Sequence, residues 1–189
     1  MNIKNAARRS AVVIAILLLS ILIGYIYQLI GNKVDIKNHP REYSEFVEKY
    51  SAEYGVPEYI LYAVIKNGSG FQSNHVSDDG RIGLMQITPE CFSWLLTLTK
   101  ESHNDGILYD PETNIRYGAY MMSFLYTQYS RWKTVIAICV TDEKTVQKWC
   151  ENPENTDDNG NLTFIPDENV RRKVDNIQET ADIYQKLYY

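Results

Sequence analysis

The stretch Ala63-Val64-Ile65-Lys66-Asn67-Gly68-Ser69-Gly70-Phe71, followed a short way on by Gly83-Leu84-Met85-Gln86-Ile87-Thr88-Pro89, decides how this chain folds. Its first part closes an apolar helix opened at Pro57, with Ile60, Leu61, Val64 and Ile65 in helical register. Proline suits a first helical turn, where its missing N–H has no partner to lose. From Asn67 to Arg81 the composition turns to Gly, Ser, Asn and Asp with no helical period, which predicts an irregular or short β segment. Thr88-Pro89 then starts a new helix through Phe92, Leu95 and Leu96, the threonine accepting from a first-turn N–H.

Working outward, Tyr43, Phe46, Val47 and Tyr50 recur at i, i+3, i+4 and i+7, predicting a helix from about Arg41 to Tyr54 that Gly55 ends. Asp110-Pro111 opens another with Ile115, Ala119, Met122, Tyr126 and Tyr129 on one face. Further helices are predicted from Trp132 to about Cys139, from about Asp142 to Cys150, and through Val170, Val174, Ile177, Ala181, Tyr184 and Tyr188. Glu151 to Gly160 reads as a polar loop. No internal repeat and no long alternating stretch is present, so the fold class is mainly α with a small irregular or β segment.

The chain has 189 residues, 44% apolar and 23% charged, which describes one folded domain and excludes a disordered chain. Of its 19 basic and 24 acidic side chains, only the bases Lys4, Arg8 and Arg9 precede residue 31, so the remainder is strongly acidic. That balance argues against nucleic acid as a partner. Cys91, Cys139 and Cys150 lack Cys-x-x-Cys spacing and His39, His75 and His103 lie far apart, so neither a metal site nor a disulfide framework is legible. No cofactor is expected. Whether Cys139 and Cys150 pair is left open by the sequence.

Ala11 to Ile30 contains no charge, and 20 residues at ~1.5 Å each span ~30 Å, the thickness of a bilayer core. The segment reads as a transmembrane signal anchor. A cleaved signal peptide is the competing reading, but its apolar region is usually about 7–15 residues, and no small-x-small site precedes Gly31. The basic flank on the near side places residues 1–10 in the cytoplasm. A linker over 31–40 and a domain over 41–189 then face the cell exterior.

The Ala63–Phe71 and Gly83–Pro89 motifs resemble the two leading motifs of the soluble-type lytic transglycosylases, relatives of goose-type lysozyme, in which a helix ends in Glu-Ser-x-Phe and Gly-Leu-Met-Gln-x-x-Pro follows. Asp110-Pro111-Glu112-Thr113-Asn114-Ile115 is similar to that family's Asp-Pro-x-x-Asn-Ile, and the likeness covers most of residues 41–189. The resemblance implies a lysozyme-like helical domain with a sugar-binding cleft. It also implies cleavage of the β-1,4 bond between N-acetylmuramic acid and N-acetylglucosamine in bacterial peptidoglycan, leaving a 1,6-anhydro end.

That chemistry needs a proton for the leaving oxygen, which a carboxylic acid of raised pKa supplies. By resemblance the acid's slot holds Gly68, which has no side chain to give a proton. The family's Ala-Tyr-Asn-Ala-Gly turn aligns with Ile138-Cys139-Val140-Thr141-Asp142, putting Cys139 and Val140 in the places of Tyr and Asn. After Ile165-Pro166, Asn169, Val170 and Lys173 stand where the family has Glu, Thr and Tyr. Three polar stations are altered together, which implies a pseudoenzyme.

Candidate glycan contacts are Ser69, Ser77, Gln86 and Tyr120. Ser77 and Gln86 match the family's cleft-lining Ser and substrate-contacting Gln, and either can hydrogen-bond a hydroxyl or acetamido group. Equally, Gly83 to Gln86 and Ser69 can be retained because the core needs that turn, with Phe71 a core residue. Of Tyr117, Tyr120, Tyr126 and Tyr129, Tyr120 is the chosen candidate for stacking on a sugar. Asp78, Asp79 and Glu90 are fallback acids, with a solvated turn as the ordinary role of the two aspartates. Two functions follow: an anchored domain that binds glycan strands or a wall-synthesis or secretion protein without cutting, and an active transglycosylase or muramidase with a relocated acid.

Overall fold

The computed structural model describes residues 17–26 and 35–189. The chain divides into two compact units, Met1–Pro40 and Arg41–Tyr189. In the first, residues 17–26 are helical, with Leu17, Leu18, Ile21 and Ile23 among their exposed apolar side chains. Ten residues rise only ~15 Å, and among the described residues no helix is long and apolar enough to cross a membrane. The remainder of the expected span, 11–16 and 27–30, lies outside the described residues, as do 1–10 and 31–34.

The second unit is helical: α1 Ser44–Tyr54, α2 Glu58–Ser69, α3 Pro89–Thr99, α4 Pro111–Tyr129, α5 Trp132–Val140, α6 Glu143–Cys150 and α7 Glu168–Tyr188. Short 3₁₀ turns cover Asp105–Tyr109 and Pro153–Asn155, neither of which the periodicity predicts. The expected caps form, since Thr88 accepts from the Cys91 N–H, Asp110 accepts from Thr113 and Gly55 takes a left-handed φ of 69°, and Asp142 adds one more by accepting from Thr145. In place of a β-sheet there are isolated antiparallel bridges, Val76 to Ile82, Ile82 to Ile87 and Thr156 to Leu162.

One boundary differs from expectation. The irregular segment begins at Gly70, because α2 continues through Asn67, Gly68 and Ser69. These are poor helix formers, and tertiary partners hold them: Ser69 Oγ donates to Ile65 and Leu84 carbonyls, at 3.1 and 3.0 Å. Asn67 Nδ2 donates to the Ala63 carbonyl and to Thr180 Oγ1 on α7. The first residue of the unit is held as firmly, with the Arg41 guanidinium over the rings of Tyr62, Tyr188 and Tyr189 at 5.5, 5.5 and 5.7 Å and bonded to Glu48 and Glu58.

The core gathers Leu61, Tyr62, Ile65, Leu84, Phe92, Leu95, Ile115, Met122, Val135 and Tyr184, all essentially inaccessible. At its centre Asn114 on α4 is 0% exposed. Its Oδ1 accepts from the Met85 N–H at 2.7 Å, while Nδ2 donates to the Ile82 and Leu108 carbonyls at 3.0 and 2.8 Å. Met85 then lies flat on Gly118, so close that a Cβ there would meet the Met85 side chain at 2.6 Å. The turn 82–87 is thus pinned to α4 by one buried amide and one absent side chain.

A peripheral carboxylate ties α4 to the end of α3. Glu101 accepts from both arms of the Arg116 guanidinium and from the Tyr117 hydroxyl. These bonds, Arg116's first, hold its carboxyl at a pKa of about 2. Because the folded value is depressed, its contribution to stability is complete above pH ~4.5 and disappears as pH falls toward about 2. Thermal melts of Glu101→Gln should therefore lie below wild type at pH 7 and converge with it near pH 2.

Candidate glycan-binding cleft

The end of α2, the turn 75–86, the end of α5 and one face of α7 enclose a cleft of about 280 Å³. It is lined by Gly68, His75, Ser77, Asp79, Arg81, Gln86, Cys139, Val140, Lys173 and Asn176, floored by Val64, Met85, Ile136 and Ile177. Gly68, Cys139, Val140 and Lys173, from three separate segments of the chain, therefore share one cavity. A second hollow of about 350 Å³ adjoins it, sharing Arg81, Gln86 and Cys139, and is lined further by Glu90, Trp94, Met121 and Leu125.

The space beside Gly68 is not vacant. Gln86, at a left-handed φ of 55°, lays its side chain there, and a Cβ on residue 68 would lie 3.1 Å from Gln86 Cγ. Gln86 Nε2 donates to the Gly83 carbonyl at 2.8 Å and more weakly to that of His75 at 3.4 Å, which leaves the Oε1 acceptor of this cleft-lining residue unused.

Arg81 forms the wall between the two hollows. Its Nε donates to Asp79 at 2.8 Å, and its two terminal nitrogens donate to the Cys139 and Thr141 carbonyls at 2.5 and 2.7 Å. The side chain is 14% exposed. The guanidinium caps the negative end of α5, where cations are favoured. Asp79 also accepts from Ser77 Oγ at 2.5 Å. Those two donors, Ser77 first and Arg81 second, hold its carboxyl below the usual range. This is opposite to what a general acid at neutral pH requires.

The other candidates separate by side-chain direction. Asp78 is exposed and outside the cleft, and Glu90 is exposed on the rim of the second hollow. Ser69 is only 4% exposed, is spent on two backbone carbonyls and does not line the cleft, so its role is structural. Tyr120 packs edge-on against Tyr54 at 5.5 Å and lines neither hollow. On the same helix Tyr117 is buried on Phe92, Tyr129 bonds Glu143 and Tyr126 stacks on Trp132, and none of the three lines either hollow. Phe71 is a core residue.

All three cysteines are free, so Cys139 and Cys150 do not pair. Burial pushes the Cys139 thiol up to about 12 and the Cys91 thiol up to about 11, and Cys91 Sγ rests 3.2 Å from Met121 Sδ. Both are protonated packing groups at neutral pH. Among the described residues no group of three or more His, Cys, Asp or Glu side chains is placed to hold a metal ion. Periodicity missed Arg81, His75 and Asn176. Arg81 carried one local signal, an aspartate two residues before it.

A helical domain whose cleft sits between the end of α2 and a turn pinned by a buried asparagine defines a lysozyme-like class of protein. Residues 45–161 match the family described as Transglycosylase SLT domain, and the chain belongs to that family. The membrane-bound lytic murein transglycosylases C of Yersinia pestis (strain Pestoides F) and Yersinia pseudotuberculosis (serotype O:1b) are each 31% identical to it over 105 residues, 54% of this chain and 29% of theirs. The chain thus spans less than a third of the length of these relatives. Its fold is that of the 70 kDa soluble lytic transglycosylase from Escherichia coli, with a TM-score of 0.72 at 23% identity over 80% of this chain and 25% of that one. An inactive mutant of the lytic transglycosylase Slt from Pseudomonas aeruginosa superposes with a TM-score of 0.68 at 23% identity, covering 79% and 25%.

Proposed function

We propose that this chain is a wall-facing domain that binds peptidoglycan glycan strands without cutting them. One observation carries the reading: among the described residues the only carboxylate lining the cleft is Asp79, and it is ionised and doubly bonded, while Gly68 offers no acid at all. Binding needs less than cleavage does. Gln86 Oε1, Asn176 and the rim backbone supply hydrogen bonds to hydroxyl and acetamido groups, and Val64, Met85 and Ile177 supply an apolar floor for a sugar face. In this proposal residues 11–30 anchor the chain by a single span, with residues 1–10 inside and the domain from residue 41 outside. The uncharged run and the membrane-bound relatives support the attachment, and the basic residues before the run support the orientation.

The test is retention on insoluble peptidoglycan. The wild-type chain should be pulled down, whereas Gly68→Leu, which extends a branched side chain into the cleft over Gln86, should be retained about tenfold less. Leucine is a better helix former than glycine by up to ~1 kcal/mol, which offsets crowding against Gln86, so the variant should remain folded by circular dichroism. Failure of the wild-type chain to be retained would remove the glycan reading and leave a protein partner in the wall as the better assignment.

A further inference from the structure

Lys173 and Asn176 stand one helical turn apart on α7, and both line the cleft that contains Gly68. Positions three apart on a helix project to the same side. Among the described residues neither side chain has a hydrogen-bond or ion-pair partner. The other charges of the cleft cancel, since Arg81 and Asp79 form an ion pair at 2.8 Å. What remains is one unpaired cation, the exposed Lys173 at the edge of the cleft, with the Asn176 amide and the His75 ring as further polar groups. Gly68 brings no charge to this cavity and Lys173 brings a positive one.

We propose that this cleft selects an anionic sugar, one carrying a carboxylate or a phosphate, with Lys173 facing the anion and Asn176 donating to it from the next turn. The inference deepens the glycan-binding reading and rests on it. Low-dielectric walls concentrate the field of a single charge, so an anion in the cleft gains more than it would on an open surface. A carboxylate at position 68 would have repelled the same group. A neutral glycan would draw no benefit from Lys173, which is why charge is the discriminating variable.

The full chain in a mild detergent would be titrated calorimetrically with four sugars. These are N,N′-diacetylchitobiose, the N-acetylglucosaminyl-N-acetylmuramic acid disaccharide with its free lactyl carboxylate, the same disaccharide with that group amidated, and a phosphorylated N,N′-diacetylchitobiose. The free acid should bind about five- to tenfold more tightly than its amide, a preference that shrinks as salt rises from ~0.05 to ~0.5 M. Lys173→Met should abolish the preference, so that the free acid and its amide bind equally, and Lys173→Arg should keep most of it. A larger preference for the phosphorylated sugar than for the carboxylate, also lost in Lys173→Met, would assign the site to phosphate-bearing glycans. Equal affinities for acid, amide and phosphorylated sugar, or a preference that survives Lys173→Met, would overturn the inference while leaving glycan binding in place. Absence of binding to all four sugars would overturn both.

Discussion

Asn114→Ala is expected to lower the unfolding free energy by about 3–5 kcal/mol, because it leaves the Met85 N–H and the Ile82 and Leu108 carbonyls buried without partners. That is a large part of the ~5–15 kcal/mol that holds a typical domain together. For a unit of this size the melting temperature should fall by roughly 10 °C. Asn114→Asp, of the same shape, discriminates packing from hydrogen bonding. It keeps an acceptor for Met85 but sets an oxygen against two carbonyl oxygens, so it should be at least as damaging at pH 7 and partly relieved when acid protonates the new carboxyl. Gly83→Ala attacks the same joint from the other side. Its Cβ would lie 2.2 Å from Asn114 Nδ2 and 2.4 Å from the Leu108 oxygen, at a φ of 78° that alanine resists. Chemical denaturation of the three variants checks this. If Asn114→Ala unfolded within ~1 kcal/mol of wild type, a water or a shifted backbone must satisfy the three groups instead.

On the proposed reading the purified chain should release 1,6-anhydro-muropeptides at no more than trace rates, since a cleft without a general acid forfeits about 10²–10⁴-fold in rate. Gly68→Glu should leave it inactive. The new side chain would have to displace Gln86 from the space it fills, and its carboxyl would share a cleft with Lys173. A neighbouring cation lowers a carboxyl pKa, so the restored group would be ionised where the reaction needs it protonated. Adding Lys173→Tyr and Cys139→Tyr to Gly68→Glu removes that cation and returns two hydroxyls, and only this combination should recover measurable cleavage. Liberation of anhydro ends by the wild-type chain, well above a heat-killed control and reduced by Glu90→Gln, would show that the acid has moved to the second hollow.

Helix starts were readable because their causes are local. Thr88-Pro89 and Asp110-Pro111 each put a capping acceptor before a proline, and the cap bonds form within three residues. The end of α2 was read three residues early because Asn67, Gly68 and Ser69 owe their helical state to Leu84 and Thr180, which spacing along the chain does not reveal. The site divides in the same way. Gly68, Ser77, Gln86, Cys139, Val140 and Lys173 were found from motif order and meet in one cleft. Ser69 belongs to the same motif as Gly68 and Tyr120 offers an aromatic ring for a sugar, but rotation about the helix axis turns one into the core and the other onto Tyr54. Arg81 was overlooked because its main partners lie 58 and 60 residues away, and nothing nearby marks a side chain that closes such a distance.

The Arg81 bridge bears on the thermodynamics of occupancy. By joining the glycine-rich turn to the last carbonyls of α5, it ties together two walls of the receptacle with bonds that form when the chain folds. An untethered loop would lose backbone and side-chain freedom at the moment a ligand arrived, and that loss would be subtracted from affinity. Here the ordering entropy is already spent before any ligand enters. Association with the empty receptacle should therefore resemble a lock-and-key encounter, with Arg81→Ala shifting the signature toward a more unfavourable binding entropy even where the contacts to the ligand are unchanged.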